Sequence, residues 1–167
     1  MKHTAGALAL MSVIFLSACG KDDPNAVSPP VGPPGSPKAA RPATAPNGEA
    51  AVVTVEHILI GVKGGRASSA KREQGEAQRV AFELLGRARS GEDFVKLRDE
   101  HTEDPGKGPY TMTNIGIDPA DRSEYGRDGM AKAFGDVSFR LEVGQVGITD
   151  YDPATSPFGY HVIKRVK

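Results

Sequence analysis

No tryptophan occurs in this chain of 167 residues, and cysteine occurs once, at Cys19. A single cysteine excludes an intramolecular disulfide, so the fold must be held by packing and hydrogen bonds. An excess of charge of either sign is also lacking, with 21 basic residues against 21 acidic ones. The two signs are interspersed, whereas a general nucleic-acid binder concentrates basic residues on one face, so no nucleic-acid partner is expected. Long hydrophobic runs are missing after the first residues, and no later window approaches the roughly 20 apolar residues of a bilayer-spanning helix. Neither HExxH nor CxxC is present, and Gly61 to Arg66 (GVKGGR) lacks the Lys-Ser or Lys-Thr of a phosphate loop. No metal or cofactor is expected. Glycine and proline, by contrast, are plentiful, at 20 and 13.

The N-terminus reads as a segment for export. Lys2 and His3 precede the apolar stretch Ala5 to Leu16, and Ser17, Ala18 and Cys19 follow. A basic start, a short apolar region and small residues are the order of a secretory signal, and the stretch is too short to span a bilayer. Leu16-Ser17-Ala18-Cys19 resembles the lipobox of bacterial lipoproteins, which implies cleavage before Cys19 and lipidation of its thiol. Stable anchoring needs two or more acyl chains, because one gives only marginal, reversible binding. The plainer alternative is an ordinary signal peptide with a cysteine near its end. With Gly20 after the cysteine, where an Asp is associated with inner-membrane retention, the outer membrane is favoured over the inner. The expected location is therefore a bacterial membrane facing the periplasm, or the cell surface.

Residues 1–18 are thus expected to be a signal peptide and residues 19–50 a lipidated cysteine followed by a disordered Pro/Ala-rich tether. Pro24, Pro29, Pro30, Pro33, Pro34, Pro37, Pro42 and Pro46 punctuate this stretch without apolar periodicity. Such a segment buries too little surface to offset its ordering entropy and acts as an extended spacer.

The domain is expected over residues 51–167. Val52 to Val62 (VVTVEHILIGV) is β-branched and apolar on both faces, as in a central strand. A flexible basic loop, Lys63 to Lys71, follows. Ala77, Val80, Ala81, Leu84, Leu85 and Ala88 have helical spacing, and Gly91 breaks that helix. A second short helix carries Phe94, Leu97 and His101 and ends before Pro105-Gly106. A short strand is expected within Met112 to Ile117, and a third helix carries Met130, Ala133, Phe134 and Val137. Gln145 to Thr149 and Gly159 to Val166 are expected to be strands. The order β-α-α-β-α-β-β makes an α+β domain with helices packed around a small, mostly antiparallel sheet.

Several segments, in order, resemble the parvulin family of peptidyl-prolyl cis-trans isomerases. They are His57-Ile58-Leu59-Ile60, Ser90-Gly91-Glu92-Asp93-Phe94, Thr102-Glu103-Asp104, Met130-Ala131-Lys132-Ala133-Phe134 with Val137-Ser138-Phe139, Leu141 to Val146, and Phe158-Gly159-Tyr160-His161-Val162-Ile163. Each piece alone is weak, but their common register is specific. The resemblance implies a parvulin/FKBP-like fold with a four-stranded, mostly antiparallel sheet and about three helices. It implies rotation about X-Pro bonds of unfolded or partly folded exported polypeptides, with no cofactor. The alternative function is a non-catalytic chaperone of the same fold that binds unfolded envelope proteins.

By the same resemblance Met130 and Phe134, one helical turn apart, grip the proline ring, with Ile115 and Phe158 as further walls. From spacing alone, Met130 and Phe134 read rather as core residues of an amphipathic helix, and it is the resemblance that reverses this. His57 and His161 interrupt apolar strands, where imidazole is costly unless hydrogen-bonded; the resemblance pairs them with each other at the pocket floor. Asp104 stands where an acid or a cysteine is usual, either biasing the X-Pro amide electrostatically or only making the turn before Pro105. Ser156 replaces a customary threonine and is expected to keep a hydrogen bond near His161. Two departures stand out. Met112-Thr113-Asn114-Ile115-Gly116 replaces a glycine-rich stretch, and Ile117 to Gly129, with Asp118, Asp121, Arg122 and Arg127, is longer than usual. The basic residues Lys63, Arg66, Lys71 and Arg72 read as a solvated loop, or as a mild preference for acidic residues before proline. A metal site of His57, His161 and Asp104 lacks any close ligand spacing.

Overall fold

The structure, a computed structural model, describes residues 40–67 and 69–167. Cys19 and the expected signal segment lie outside the described residues. Strand β1, Val52–Gly61, is the axis of a sheet of five strands. It pairs antiparallel with β2 (Tyr110–Thr113) along its first half and with β5 (Gly159–Arg165) along its second. Beyond β5 lies antiparallel β4 (Val146–Thr149), and beyond β2 lies parallel β3 (Glu124–Gly126), giving the order β3-β2-β1-β5-β4. The α+β class therefore holds, with one strand more than expected. Three residues are too few to show a periodic pattern, so β3 leaves no trace in a Gly-rich stretch.

Alternation along β1 and β5 divides the core into two, because successive side chains point to opposite faces. Ile58, Ile60, Tyr160 and Val162 face helices α1 (Gln74–Arg89) and α2 (Phe94–His101), whose Ala77, Ala81, Leu84, Leu85, Phe94 and Leu97 cover them. Val53, Val55 and Ile163 face the other way, toward α3 (Lys132–Arg140), and pack with Phe134, Phe139 and Met112. His57 and His161 share this second face. In the β1–β5 register His57 opposes Ile163 and Leu59 opposes His161, so the two imidazoles are diagonal neighbours.

Local chemistry fixes the ends of these elements. Asp93 caps α2 by accepting hydrogen bonds from the Val95 and Lys96 amides at 2.9 and 3.1 Å. Helix α3 begins later than its spacing predicts. Ala131 is its N-cap, and Met130 precedes it in an extended conformation (φ −93°, ψ 163°).

Residues 40–50 do not behave as the expected disordered tether. Residues 40–50 are held against the domain: Thr44 bridges Ala50, Ala45 is buried, and Arg41 forms a bidentate pair with Glu124 at 2.6 and 2.8 Å. Pro42 and Pro46 make the stretch read as spacer, but polar groups rather than an apolar stripe hold it in place. No described helix is long and apolar enough to cross a membrane.

Candidate active site

Beyond β2, the second half of β1 leaves one edge free for other backbone, and residues 102–104 occupy it. The Glu103 amide donates to the Leu59 carbonyl at 2.9 Å, and the Leu59 amide donates to Thr102 Oγ1 at 3.1 Å. The Gly61 amide donates to Glu103 Oε2 at 2.9 Å, and Arg72 pairs with the same carboxylate. This clamp sets Asp104 beside His57. His57 Nε2 lies 2.9 Å from Asp104 Oδ2, and the Tyr110 hydroxyl donates to that oxygen at 3.0 Å. Asp104 Oδ1 accepts the Gly106 amide at 2.9 Å.

Burial opposes ionisation of Asp104, but the His57 hydrogen bond, the Gly106 amide and Tyr110 outweigh it and hold its carboxyl down at about 2. Asp104 is therefore an anion that can only accept, so the proton it shares with His57 resides on Nε2. Burial, with the Asp104 charge beside it, pushes the Tyr110 phenol up to about 12. Burial, with His57 adjacent, lowers His161 to about 3, against a smaller opposing pull from Asp104. At neutral pH the group is one carboxylate facing a phenol and a neutral His161.

Around this polar floor the rings close up. The His57 ring lies 5.1 Å from Tyr110, 5.1 Å from Phe134 and 5.4 Å from His161, and Phe134 lies 5.3 Å from His161. These are tilted or edge-on contacts, the favoured arrangement for aromatic quadrupoles. Together they back a cavity of about 760 Å³ whose walls include Leu59, Met130, Ala131, Phe134 and Phe158. Arg66 and Lys107 stand at its rim, both exposed.

Most of the residues singled out in the sequence meet here: His57, His161, Asp104, Met130, Phe134 and Phe158 all line the cavity. Three expectations change. Ile115 is 65% exposed and takes no part in the cavity. Tyr110 opposes Val55, near His57, whereas Thr113 opposes Val52 at the start of β1, so Ile115 lies past the strand's far end. Tyr110 supplies the wall instead. The two histidines make ring contact rather than a hydrogen bond, since His57 is engaged by Asp104. His57 Nδ1 and both ring nitrogens of His161 are buried without a hydrogen-bond partner among the described residues. Ser156 stands behind the cavity. Its hydroxyl donates to the Gly159 carbonyl at 2.8 Å and lies 3.2 Å from Thr149 Oγ1, which accepts the His161 amide at 3.1 Å. It thus steadies the backbone of His161 and does not touch its ring.

Two of the four basic loop residues are engaged in ion pairs: Lys63 pairs with Glu73 and Arg72 with Glu103. No group of three or more His, Cys, Asp or Glu side chains among the described residues is arranged to hold a metal ion. Tyr110 escapes sequence reasoning because it heads a strand of only four residues; its one signal is an aromatic at the start of that strand, six residues after Asp104.

Residues 43–167 match the family described as the PPIC-type PPIase domain. Among curated proteins, the chain is 38% identical over 87 residues to Foldase protein PrsA 4 of Bacillus cereus, a match covering 52% of this chain and 27% of that protein. It is 34% identical over 87 residues to Foldase protein PrsA of a Geobacillus species, covering 52% and 27%. It is 31% identical over 112 residues to Chaperone SurA of Pseudomonas fluorescens, covering 67% and 22%. The matched region thus spans only about a quarter of the length of these relatives.

Proposed function

The chain belongs to the PPIC-type peptidyl-prolyl isomerase family, the parvulins, and from that premise we propose that it catalyses rotation about X-Pro bonds of polypeptides that are still folding. One observation carries the reading: an apolar cavity walled by Met130, Phe134, Leu59 and Phe158 opens directly onto the ionised Asp104. Amide resonance sets a barrier of about 18–20 kcal/mol, and no bond need be broken to cross it. The apolar walls hold the pyrrolidine while the preceding residue turns. Resonance places negative charge on the ground-state carbonyl oxygen, and that charge fades as the amide twists. A fixed anion near that oxygen therefore disfavours the planar amide more than the twisted one, which is differential stabilisation of the transition state. Every tenfold of rate requires about 1.4 kcal/mol of such difference. Tyr110 and His57 keep the carboxylate in place.

In this reading the whole chain is an export product, lipidated at Cys19 and held at a bacterial membrane, with folding polypeptides as clients. Replacement of Cys19 with alanine should move the protein from the membrane fraction to the soluble one. If the variant stays with membranes, the anchor is elsewhere.

The function is tested with the full chain in a protease-coupled isomerisation assay on X-Pro tetrapeptides. Acceleration above the uncatalysed rate is expected. The second reading, a non-catalytic chaperone, draws on the half-exposed Phe158 at the cavity and on the foldase and chaperone names of the matched relatives. Retained binding of unfolded protein without any acceleration would decide for it.

A further inference from the structure

Arg127 belongs to the stretch that is longer than usual for the family, and its side chain is only 12% exposed. It is held on every side. Nη1 donates to Glu49 and, at 2.9 Å, to Asn114 Oδ1; Nη2 donates to Asp136 Oδ1 at 2.9 Å. Its charged plane lies 4.7 Å above the Phe139 ring. Asn114, nearly fully buried, is a second hub. Its amide nitrogen donates to the Ala50 carbonyl at 3.0 Å and lies 3.3 and 3.4 Å from Glu49 Oε2 and Asn47 Oδ1. Three polar groups of the segment 40–50 thus converge on two residues of the atypical stretch. Burying a guanidinium is costly unless its donors are matched, and Glu49 and Asp136 supply the matching charge.

The same arginine touches the cavity wall. Its carbonyl accepts the Met130 amide at 3.2 Å, so it closes the single turn that delivers Met130. Its side chain lies along α3, where a Cβ at Gly135 would come within 3.0 Å of Arg127 Cγ. The Met130 amide and Gly135, the neighbour of Phe134, therefore both lie against an arginine that Glu49 of the N-terminal segment holds.

We propose that residues 40–50 form a strap that positions the Met130 wall of the cavity through Glu49 and Arg127, making both positioning residues for the grip on proline. The proposal rests on the isomerase reading. It also gives the two departures from the family pattern a joint purpose: Asn114 and the longer stretch that contains Arg127 receive the strap.

The test uses the full chain, unaltered and as Glu49→Gln, Arg127→Met and Arg87→Ala. Arg87 pairs with Glu92 just past the end of α1, is no part of the strap and does not line the cavity, and serves as the control. KM for an X-Pro tetrapeptide should rise about fivefold or more in Glu49→Gln and Arg127→Met, with kcat within about twofold, at a temperature where each variant is fully folded. In Arg87→Ala both constants should stay within about twofold. A fall in melting temperature with KM unchanged in Glu49→Gln would reduce the strap to a stabiliser and overturn the proposal. If Arg127→Met does not fold, the ¹³C-methyl resonance of Met130 in Glu49→Gln provides the second reading. It should shift or broaden, and an unchanged signal counts against the strap. An unaltered chain that is inactive would remove the isomerase reading on its own. The strap is then read from dissociation constants of a proline-containing peptide for the same variants, with the same fivefold expectation, and a peptide that none of them binds overturns it too.

Discussion

Asp104 Oδ2 receives two hydrogen bonds at once, from His57 and from Tyr110, and its other oxygen receives a backbone amide. A carboxylate so supplied is more stable folded than unfolded. Its folded value of about 2 lies below the ordinary 3.8, so it stabilises the fold fully above about pH 4. That contribution is lost as pH falls from about 4 through about 2, where the unfolded chain takes up the proton first. The size at neutral pH is about 2 kcal/mol. Asp104→Asn should therefore unfold more easily at pH 7 in urea, and the gap from the unaltered protein should narrow below pH 4. A gap that is independent of pH would mean the carboxylate charge is not what matters. Met130 acts differently, through apolar contact alone. Met130→Ala should raise KM about tenfold, matching about 1.4 kcal/mol of lost apolar burial, and leave kcat within about threefold. An equal loss in kcat at saturating peptide would place Met130 in the rotation step instead. These residues, with His57, His161, Phe134 and Phe158, are legible in the sequence because each sits inside a short segment of recognisable pattern. Tyr110 and the Asp104 bond to His57 are not, since both depend on where β2 and residues 102–104 lie along β1, which no local pattern encodes.

At the scale of elements, the two long signals are the readable ones. β1 is a near-continuous apolar run, and α1 repeats its small and aliphatic residues at helical spacing, so both appear within a few residues of their expected bounds. The start of α3 is not readable, because Met130 and Phe134 share a spacing that a helix explains and an extended lead-in satisfies equally. The tightest joint in the sheet is glycine-dependent. Gly159 opposes Gly61 at the end of the β1–β5 ladder with φ +151°, and a Cβ there would lie 2.2 Å from the Ile60 carbonyl oxygen. Backbone cannot yield as a flexible side chain can. Gly159→Ala should lower stability by about 3 kcal/mol or more, and it also displaces Phe158 and His161 on either side. Gly91, also at positive φ but with nothing within 4 Å of where a Cβ would stand, is the comparison. Gly91→Ala should cost only about 1 kcal/mol. Melting temperatures of the two variants decide the point; equal shifts would show that strain, not the clash with Ile60, dominates both.

For the molecule as a whole, the question is where the folding unit begins. Composition changes sharply at Ala51, whereas residues 40–50 already pack against the domain and the family match begins at residue 43. The difference is chemical. Residues 40–50 contribute no apolar side chain larger than proline, so a reading based on hydrophobic patterning passes them over, yet they supply Glu49 to a largely buried arginine and Ala45 to the interior. Removing one partner of a buried pair costs far more than the pair gained on forming, because the remaining charge stays desolvated. A chain begun at Ala40 should therefore melt where the full chain melts and match its kcat/KM on a tetrapeptide. A chain begun at Ala51 loses Glu49, the Asn47 contact to Asn114 and the Arg41–Glu124 pair together. Its stability should fall by about 2–4 kcal/mol. Arg127→Lys should not restore it, since the absent partner is the acid. Adding Arg127→Met to the shortened chain, where the guanidinium keeps only Asp136 and Asn114, should cost clearly less than the same substitution costs in the full chain. That difference, read by urea unfolding of the four proteins, requires Glu49 and Arg127 to act as one unit, and additive effects would show that they do not.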